Sequence, residues 1–404
     1  MTQNRHYDVI VWGASGFTGR LVAEYLNAQY GIGGDLSWAM AGRNEQKLRD
    51  VAQEIGAGGA DILTGDADDP ASLKRLVEQT EVICTTVGPY QKYGSALVAA
   101  CVEAGTDYVD LSGEPAWMAE MIDKHQARAR ETGARIVHSC GFDSIPFDLG
   151  VFFVQERARE AFGAPAREVK GRVKAMKGKF SGGTAASLVA TVEAGLKDPA
   201  VRRVMRDPYA LAQDDAADRP RQPAGRRPYY DRDVKSWVAP FIMADINLRN
   251  IHRSNMLMSY AYGKDFVYSE MMMTPNGMAA RMAAGGMGAF VGALTIGPLR
   301  ALLKKVALPD PGEGPNKQER ENGFYKVLFV AKSDNGEDVR AQITGDRDPG
   351  YGSTSKMLGE AAVCLARDVS RDETPGGVWT PAAAMGDALL TRMTEKAGLT
   401  FEAI

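Results

Sequence analysis

The sequence predicts an α/β protein, with a doubly wound parallel sheet at the start of the chain and a second, α+β domain after it. Over the first 140 residues, six short apolar runs alternate with helical stretches. Nearly continuous apolar strands separated by helices are typical of a parallel sheet that helices cover on both faces. The length of 404 residues is large for one hydrophobic core, so a second domain is expected.

The predicted strands are rich in β-branched and aromatic residues and read DVIVW, LSWAMA, ADILTG, EVICTTV, DYVDL and RIVHSC. The helical stretches that follow them are Thr18–Tyr30, Glu45–Glu54, Pro70–Gln79, Ser95–Glu103 and Pro115–Glu131. Five or six such units make a complete dinucleotide-binding domain of the Rossmann type, which we place at residues 1–146.

The pattern changes after about Pro146. EVKGRVKAMKGK alternates like a half-exposed strand, and FYKVLFVAKSDNGEDVRAQITGD predicts a hairpin with Asn335 and Gly336 at its turn. We therefore predict an α+β substrate or cover domain at residues 147–350. Two helices, near Ser353–Asp368 and Pro381–Lys396, are expected in the segment 351–404 and to pack back near the first domain.

The stretch Met282–Leu299, MAAGGMGAFVGALTIGPL, carries no charge. It only just reaches the length of a spanning helix, and its five glycines and Pro298 weaken that interpretation. A buried or groove-lining segment is one alternative. The other is an interfacial element that places Arg300, Lys304 and Lys305 at the level of lipid phosphates, so peripheral membrane contact through residues 282–305 is a hypothesis.

Composition excludes several classes of function. A net charge of −3 gives no electrostatic reason to expect nucleic acid as a partner. The four cysteines and four histidines are too dispersed to predict a metal site, and free cysteines favour a reducing compartment. The N-terminus lacks a signal-peptide core, which predicts a cytoplasmic protein. The sequence does not decide the oligomeric state, and a homodimer is one alternative.

A turn with three glycines follows the first predicted strand, in VIVWGASGFTGRLVAEYL. The spacing is Gly-x-x-Gly-x-x-Gly, whereas G-x-G-x-x-G is commoner. Such a turn lets the backbone approach a pyrophosphate, and the helix that follows offers free N–H groups to the anion. We predict that the pyrophosphate of a dinucleotide is held by Gly13, Ala14, Ser15, Gly16, Phe17, Thr18 and Gly19.

The end of the second strand predicts the choice of cofactor. No acid stands there to hold a ribose hydroxyl, and the sequence has Arg43 and Asn44 instead. A guanidinium suits the 2′-phosphate of NADP(H), which is the predicted cofactor, although Arg43 as a solvated surface charge is the alternative. Further predicted contacts, to adenine, ribose and nicotinamide, are Asp66, Ala67, Val87, Gly88 and Pro89.

Several motifs together resemble one family. GASGFTG, AGRN, VGPYQKYG, AACVEAGTDYVDLSGEPAW and IVHSCGFDSIPFDLG occur in this order in saccharopine dehydrogenase-like oxidoreductases. The chain is most similar to the branch of trans-acting enoyl reductases of mycobacterial lipid synthesis. This resemblance implies a Rossmann domain with a second α+β domain over the nicotinamide. For that branch it also implies reduction of a carbon–carbon double bond in a lipid-like acyl chain.

Two residues are candidates for the chemistry. Tyr90, after the fourth strand, is the first choice for bonding a thioester carbonyl or supplying a proton, and a ring packed on the cofactor is its alternative. Asp143, after the sixth strand, is a candidate acid or base, and capping of the next helix is its competing role.

The leading hypothesis is an NADPH-dependent reductase of the double bond in an enoyl thioester, with a small-molecule or carrier-bound acyl substrate. The enzymatic alternative is a saccharopine dehydrogenase-like reduction of an imine or carbonyl in an amino-acid-like substrate. That chemistry needs cations, which Arg172, Lys174 and Lys177 could supply. A third alternative is an NADP-binding scaffold at a lipid surface with little catalysis of its own.

Overall fold

In a computed structural model, the chain forms two seven-stranded sheets with helices packed around them. The structure describes residues 5–178, 182–214, 219–306 and 314–404, without the side chains of residues 304–306. The hypothesis for Lys304 and Lys305 therefore lies outside the described residues. The predicted fold class, a doubly wound parallel sheet with a second α+β domain, is confirmed.

The first part of the chain alternates strands and helices as predicted. Its elements are β1 (Tyr7–Trp12), α1 (Phe17–Tyr30), β2 (Trp38–Gly42), α2 (Glu45–Glu54), β3 (Asp61–Thr64), α3 (Pro70–Val77), β4 (Thr80–Thr85), α4 (Tyr90–Tyr93), α5 (Ser95–Ala104), β5 (Asp107–Val109), α6 (Pro115–Thr132), β6 (Arg135–Val137) and α7 (Ile145–Phe162).

The six strands of this part lie in the order β6-β5-β4-β1-β2-β3, and every pair is parallel. Strands β2, β5 and β6 are buried along their whole length, because helices cover both faces of the sheet. The strand order reverses between β1 and β4. At such a point the loops at the carboxyl ends of the strands diverge and leave a crevice for a ligand.

The second part begins with β7. Its elements are β7 (Glu168–Lys177), α8 (Gly182–Lys197), α9 (Pro199–Arg206), β8 (Tyr229–Asp231), β9 (Ser236–Pro240), α10 (Ala244–Leu257), β10 (Val267–Thr274), α11 (Gly277–Thr295), α12 (Gly297–Val306), α13 (Lys317–Glu321), β11 (Phe324–Lys332), β12 (Asp338–Gly345), a π-helical turn (Pro349–Ser353), α14 (Thr354–Arg367), β13 (Gly377–Trp379), α15 (Pro381–Glu395) and β14 (Leu399–Ala403).

The second sheet is mixed, in the order β14-β12-β11-β7-β10-β9-β8. Only β7 and β10 run parallel to each other, and β11 and β12 form the predicted hairpin. Helix α7 packs on this sheet at very short range. A methyl group on Gly150 would stand 2.4 Å from the Phe329 ring, so only glycine allows this approach.

The C-terminal segment contains two strands, β13 and β14, besides the two predicted helices. Helix α14 packs against α1 and β1, but β13 adds a seventh strand to the first sheet beside β6, and β14 adds the outermost strand to the second sheet beside β12. The carboxylate of Glu360 on α14 accepts hydrogen bonds from Tyr25 and Tyr30 of α1 and pairs with Arg392 of α15 at 2.8 Å. The last residues thus connect both sheets.

The uncharged stretch Met282–Leu299 lies on helices α11 and α12. One alternative predicted for it, a buried segment, is wrong, because most of its residues are accessible to solvent. Within the described part of the chain, no single helix is long and apolar enough to cross a membrane. The pair α11 and α12 meets that test only together, with a bend of 112° between them. Leu294 is buried, whereas the exposed apolar side chains of the pair are Met278, Met282, Val291, Ile296, Leu299 and Leu302.

Candidate functional site

The glycine turn after β1 is built so that an anion can approach its backbone. Gly13 has φ +88°, and a methyl group there would stand 2.5 Å from a side-chain atom of Val87. A methyl group on Gly19 would stand 2.1 Å from the carbonyl oxygen of Gly13. Gly16 precedes α1 without a side-chain cap, so the first N–H groups of this helix have no partner within it. These features fit the pyrophosphate of a dinucleotide.

Two cations stand at the end of β2. The side chains of Arg43 and Lys47 both line the crevice, and Arg43 is exposed. Asn44 has a different role, since its side chain caps α2 by accepting the N–H of Lys47 at 2.9 Å. Sequence reasoning missed Lys47, although its position one helical turn after Arg43 was a usable signal.

The crevice opens into a cleft of about 870 Å³ between the two sheets. One wall consists of the loops after the first-sheet strands. These loops bring together most of the predicted cofactor and catalytic residues, namely Gly13, Ser15, Gly16, Phe17, Thr18, Arg43, Asp66, Ala67, Val87, Gly88, Tyr90 and Asp143. The predicted contacts that do not line the cleft are Ala14, Gly19, Asn44 and Pro89.

The second part of the chain supplies the opposite wall. Near the glycine turn the ring of Phe17 packs edge-on against Tyr351 of the π-helical turn, with centroids 4.8 Å apart. Farther along, the wall is mostly apolar and comes from β7, α8, α9 and the start of α10. Its apolar residues are Met176, Leu188, Met205, Phe241, Ile242, Met243 and Ile246.

The cationic residues that the structure describes in the cleft lining stand at its nucleotide end. Among its described lining residues, only Arg43 and Lys47 are cationic. Arg172, a candidate for binding a dicarboxylic substrate, is fully buried and pairs with Asp231 at 2.9 Å. The side chain of Lys174 donates to Gln342. Neither Lys174 nor Lys177 lines the cleft.

Tyr90 reaches the cleft but is 4% exposed. Its hydroxyl donates to the carbonyl of Thr85 at 3.2 Å and accepts the N–H of Leu111 at 3.0 Å, and its ring stacks on Trp117. Burial raises its pKa well above the usual range. Because the hydroxyl proton is engaged by the backbone, the geometry favours a structural role, and the catalytic role stays a prediction.

Asp143 has the surroundings that a proton donor needs. It lies between β6 and α7, lines the cleft, and is enclosed except for a small accessible face. Among the described residues, none makes a hydrogen bond or salt bridge to its carboxylate, and burial raises its pKa from 3.8 to about 7. The competing capping role is not observed, because Ser144 is the N-cap of α7 and no side chain bonds there.

Sequence reasoning also missed the role of Glu114. This buried carboxylate accepts the backbone N–H groups of Tyr90 and Gln91, both at 2.9 Å. It also accepts the hydroxyl of Ser187 on α8 at 2.6 Å. Glu114 therefore ties the loop after β4 to the opposite wall of the cleft. No sequence signal links these residues, since they lie far apart along the chain.

Comparisons with known proteins agree with this architecture. A family model described as the saccharopine dehydrogenase NADP binding domain matches residues 9–137. The chain is 41% identical over 403 residues to a Mycobacterium tuberculosis protein provisionally named a trans-acting enoyl reductase, covering 96% of each. It is 37% identical over 411 residues to a trans-acting enoyl reductase of Mycobacterium ulcerans, covering 97% and 96%.

Among solved structures, the chain is similar to apo saccharopine dehydrogenase (L-Glu forming) from Saccharomyces cerevisiae. The TM-score is 0.50 at 13% sequence identity, with 98% of this chain and 100% of that chain covered. At this identity the likeness concerns the fold alone.

Proposed function

From the premise that this chain belongs to the saccharopine dehydrogenase-like oxidoreductases, in the branch of trans-acting enoyl reductases, we propose that it reduces the carbon–carbon double bond of an enoyl thioester. It is an NAD(P)-dependent oxidoreductase with an NADP-binding domain, as predicted. The acyl substrate and the residues that act on it belong to the proposal.

The observation that carries this proposal is the separation of charge along the cleft. Cations stand only at the nucleotide end among the described lining residues, and the other end is lined by methionine, leucine, isoleucine and phenylalanine. An apolar acyl chain gains free energy by burial on such a wall. A dicarboxylic amino acid would leave its charges unpaired there, which is costly.

Different residues of the cleft would bind the cofactor, transfer a proton and exclude water. The glycine turn would hold the pyrophosphate, and Arg43 with Lys47 would hold the 2′-phosphate. NADPH supplies the hydride when it is bound. Asp143 holds a proton at the cleft surface near neutral pH, where it can be given to a substrate that has gained negative charge. The apolar wall keeps water away from the reacting carbons.

Turnover assays test this function directly. Purified protein with NADPH is offered trans-2-enoyl thioesters of increasing acyl length, and the loss of NADPH absorbance is followed. We expect turnover that rises with acyl length. Turnover only with mixtures of lysine or glutamate and keto acids would favour the amino-acid alternative. Tight NADPH binding without turnover of either class would favour the scaffold.

Replacing Arg43 by alanine is expected to weaken NADPH binding about tenfold and to leave NADH binding within about twofold. The reason is that only NADPH carries the 2′-phosphate. Arg49→Ala is the matched control, because Arg49 lies on helix α2, which begins two residues after Arg43, pairs with Glu45 and does not line the cleft. Titration of both cofactors by protein fluorescence measures the effect. Equal losses for the two cofactors would refute the assignment.

A second part of the proposal concerns helices α11 and α12. We propose that their exposed apolar faces dock on an anionic lipid surface. Between Met282 and Leu299 no residue is charged, and a cation stands at each end, Arg281 and Arg300. Arg300 pairs with Glu193 on α8, which links this element to a wall of the cleft. Apolar side chains flanked by cations are typical of elements that lie in a membrane interface.

Flotation with phosphatidylglycerol–phosphatidylcholine vesicles tests the docking surface. The double variant Met282→Glu with Leu299→Glu is expected to reduce the floating fraction about tenfold, because two carboxylates would enter the acyl layer. Ile32→Glu, at an exposed apolar residue outside both helices, is the control. Failure of the wild type to float would contradict the proposal. A dimer that the double variant converts to monomer would instead assign the surface to a second copy.

A further inference from the structure

A second buried acid lies behind Asp143. Glu270 on β10 is 3% exposed and does not line the cleft. Its carboxyl oxygens accept one hydrogen bond from the side-chain amide of Asn247 at 2.8 Å and one from the hydroxyl of Tyr268 at 2.7 Å. The nearby Arg172 forms its salt bridge with Asp231, and within the described part of the chain Glu270 forms none. A buried acid without an ion pair favours its neutral form.

Hydrogen bonds along one side of α10 connect Glu270 with the Asp143 segment. Asn247 and Asn250 are three residues apart and therefore lie on the same side of the helix. Asn247 donates to Glu270, and Asn250 donates to the hydroxyl of Ser144 at 2.8 Å. Ser144 follows Asp143 directly. Both asparagine side chains are fully buried, so this connection is held in place by packing.

The charge of Asp143 also acts on Glu270. The pKa of Glu270 is raised from 4.5 to about 8, chiefly by burial, and the negative charge of Asp143 contributes in the same direction. Its hydrogen bonds with Tyr268 and Asn247 and the charge of Arg172 act in the opposite direction. Tyr268 itself stays protonated throughout, because burial holds its pKa well above the usual range. Both acids therefore favour their neutral form, and a charge on Asp143 adds to the cost of ionising Glu270.

We propose that Glu270 is a positioning residue for Asp143, and that the two acids act as a coupled pair in which the inner one keeps its proton while the outer one gives up and regains its own. Because Glu270 stays neutral, the buried region does not hold a second negative charge when Asp143 has lost its proton. Through α10 Glu270 also holds the Asp143–Ser144 segment at the cleft. The coupling is argued from the burial of both acids and from the hydrogen bonds of Asn247 and Asn250, and its use in turnover rests on the proposed function.

Infrared spectroscopy of protonated carboxyl groups tests the coupling without any substrate. Wild type, Asp143→Asn and Glu270→Gln are titrated with NADPH bound. In wild type we expect the bands of Asp143 and Glu270, which their loss in the two variants identifies, to disappear one after the other as the pH rises through neutrality. Glu270→Gln should lack the later band. In Asp143→Asn the band of Glu270 should remain, with its midpoint lowered by about one pH unit because the neighbouring charge is gone.

A midpoint of Glu270 that is the same in Asp143→Asn and in wild type would overturn the proposal. So would a Glu270 that titrates in the ordinary range of exposed acids. Asp143→Asn leaves Glu270 and its partners in place, so this arm does not depend on whether Glu270→Gln folds. Asp245→Asn, at an exposed acid of the same cleft, is the control and should move neither band.

The pH profile of turnover is the second readout. In Glu270→Gln the amide oxygen can still accept from Asn247, and the amide N–H can donate to the Tyr268 hydroxyl in the reverse direction. Its kcat below neutral pH should therefore lie within about twofold of wild type, and its decline above pH 8 should be shallower. A merely structural role would lower kcat at every pH alike, which would count against the proposal. Absence of turnover with any thioester would contradict the proposed function and leave the infrared result to decide the coupling.

Discussion

Replacing Gly19 by alanine is expected to lower the free energy of unfolding by about 3 kcal/mol and NADPH affinity by roughly 100-fold. A methyl group at this position would stand 2.1 Å from the carbonyl oxygen of Gly13, and the obstacle is backbone that no side-chain rotation can remove. Helix α1 would have to move away from the glycine turn. Its first N–H groups would then no longer face the pyrophosphate. Chemical denaturation and cofactor titration measure the two effects.

Alanine variants at two further glycines distinguish an effect on stability from an effect on cofactor binding. Gly195→Ala is the control for the added methyl group, because no atom lies closer than 3.9 Å to its position. Gly16→Ala should fold, since Gly16 has an extended backbone with φ −83°. It should still lower NADPH affinity about tenfold, because the methyl group would occupy the phosphate approach. Undiminished affinity in both Gly16→Ala and Gly19→Ala would show that the cofactor binds elsewhere.

Replacing Asp143 by asparagine is expected to lower kcat with enoyl thioesters about 100-fold, while NADPH affinity changes little. The acid form of Asp143 persists to neutral pH because burial raises its pKa to about 7, and it is lost as the pH rises through that value. Wild-type kcat should therefore decline above neutral pH, whereas the kcat of the variant should be low and flat. Steady-state kinetics across pH measure both.

Asp143→Asn has a second expected effect, on stability. The folded protein binds the proton of Asp143 more tightly than the unfolded chain, so ionisation of this group destabilises the fold as the pH rises from 3.8 to about 7. The variant lacks this charge, and at pH 8 its free energy of unfolding should exceed that of wild type by about 2 kcal/mol, a value reduced by solvent in the open cleft. Unchanged kcat together with unchanged stability would remove Asp143 from the site.

The parallel sheet was predictable because its signal is local. Each of the strands β1 to β6 is a short run that a helix follows within a few residues, so consecutive strands are adjacent in the sheet except for β3 and β4, between which the order reverses. The same argument fails for β13. Its residues, Gly377–Trp379, pair with Arg135–Val137 across most of the second domain, and the segments next to them in the sequence do not indicate that distant partner. Strand β14 was missed for a similar reason, since its partner β12 lies more than fifty residues earlier.

The convergence of the proposed cofactor-binding residues on one cleft was predictable for a related reason. These residues follow strands whose carboxyl ends must meet at one edge, so the position along the chain nearly determined the position in space. The substrate half depends on contacts between distant segments. Glu114 meets Ser187, and Asn250 meets Ser144, only after both domains have formed. The hydroxyl of Tyr90 could not be excluded as a proton donor from the sequence. Its partners are backbone groups, and the sequence does not show which backbone groups a side chain contacts.

Strand β13 lies far along the chain from the other strands of the first sheet, and this affects folding during translation. During translation, the first sheet stays one strand short until residues 377–379 have left the ribosome. A premature stop after β12 would remove β13 and β14 together and leave an unpaired edge on each sheet, at β6 and at β12. Such edges attract aggregation and proteolysis. A cell carrying such a truncation would hold neither half of the protein in working form.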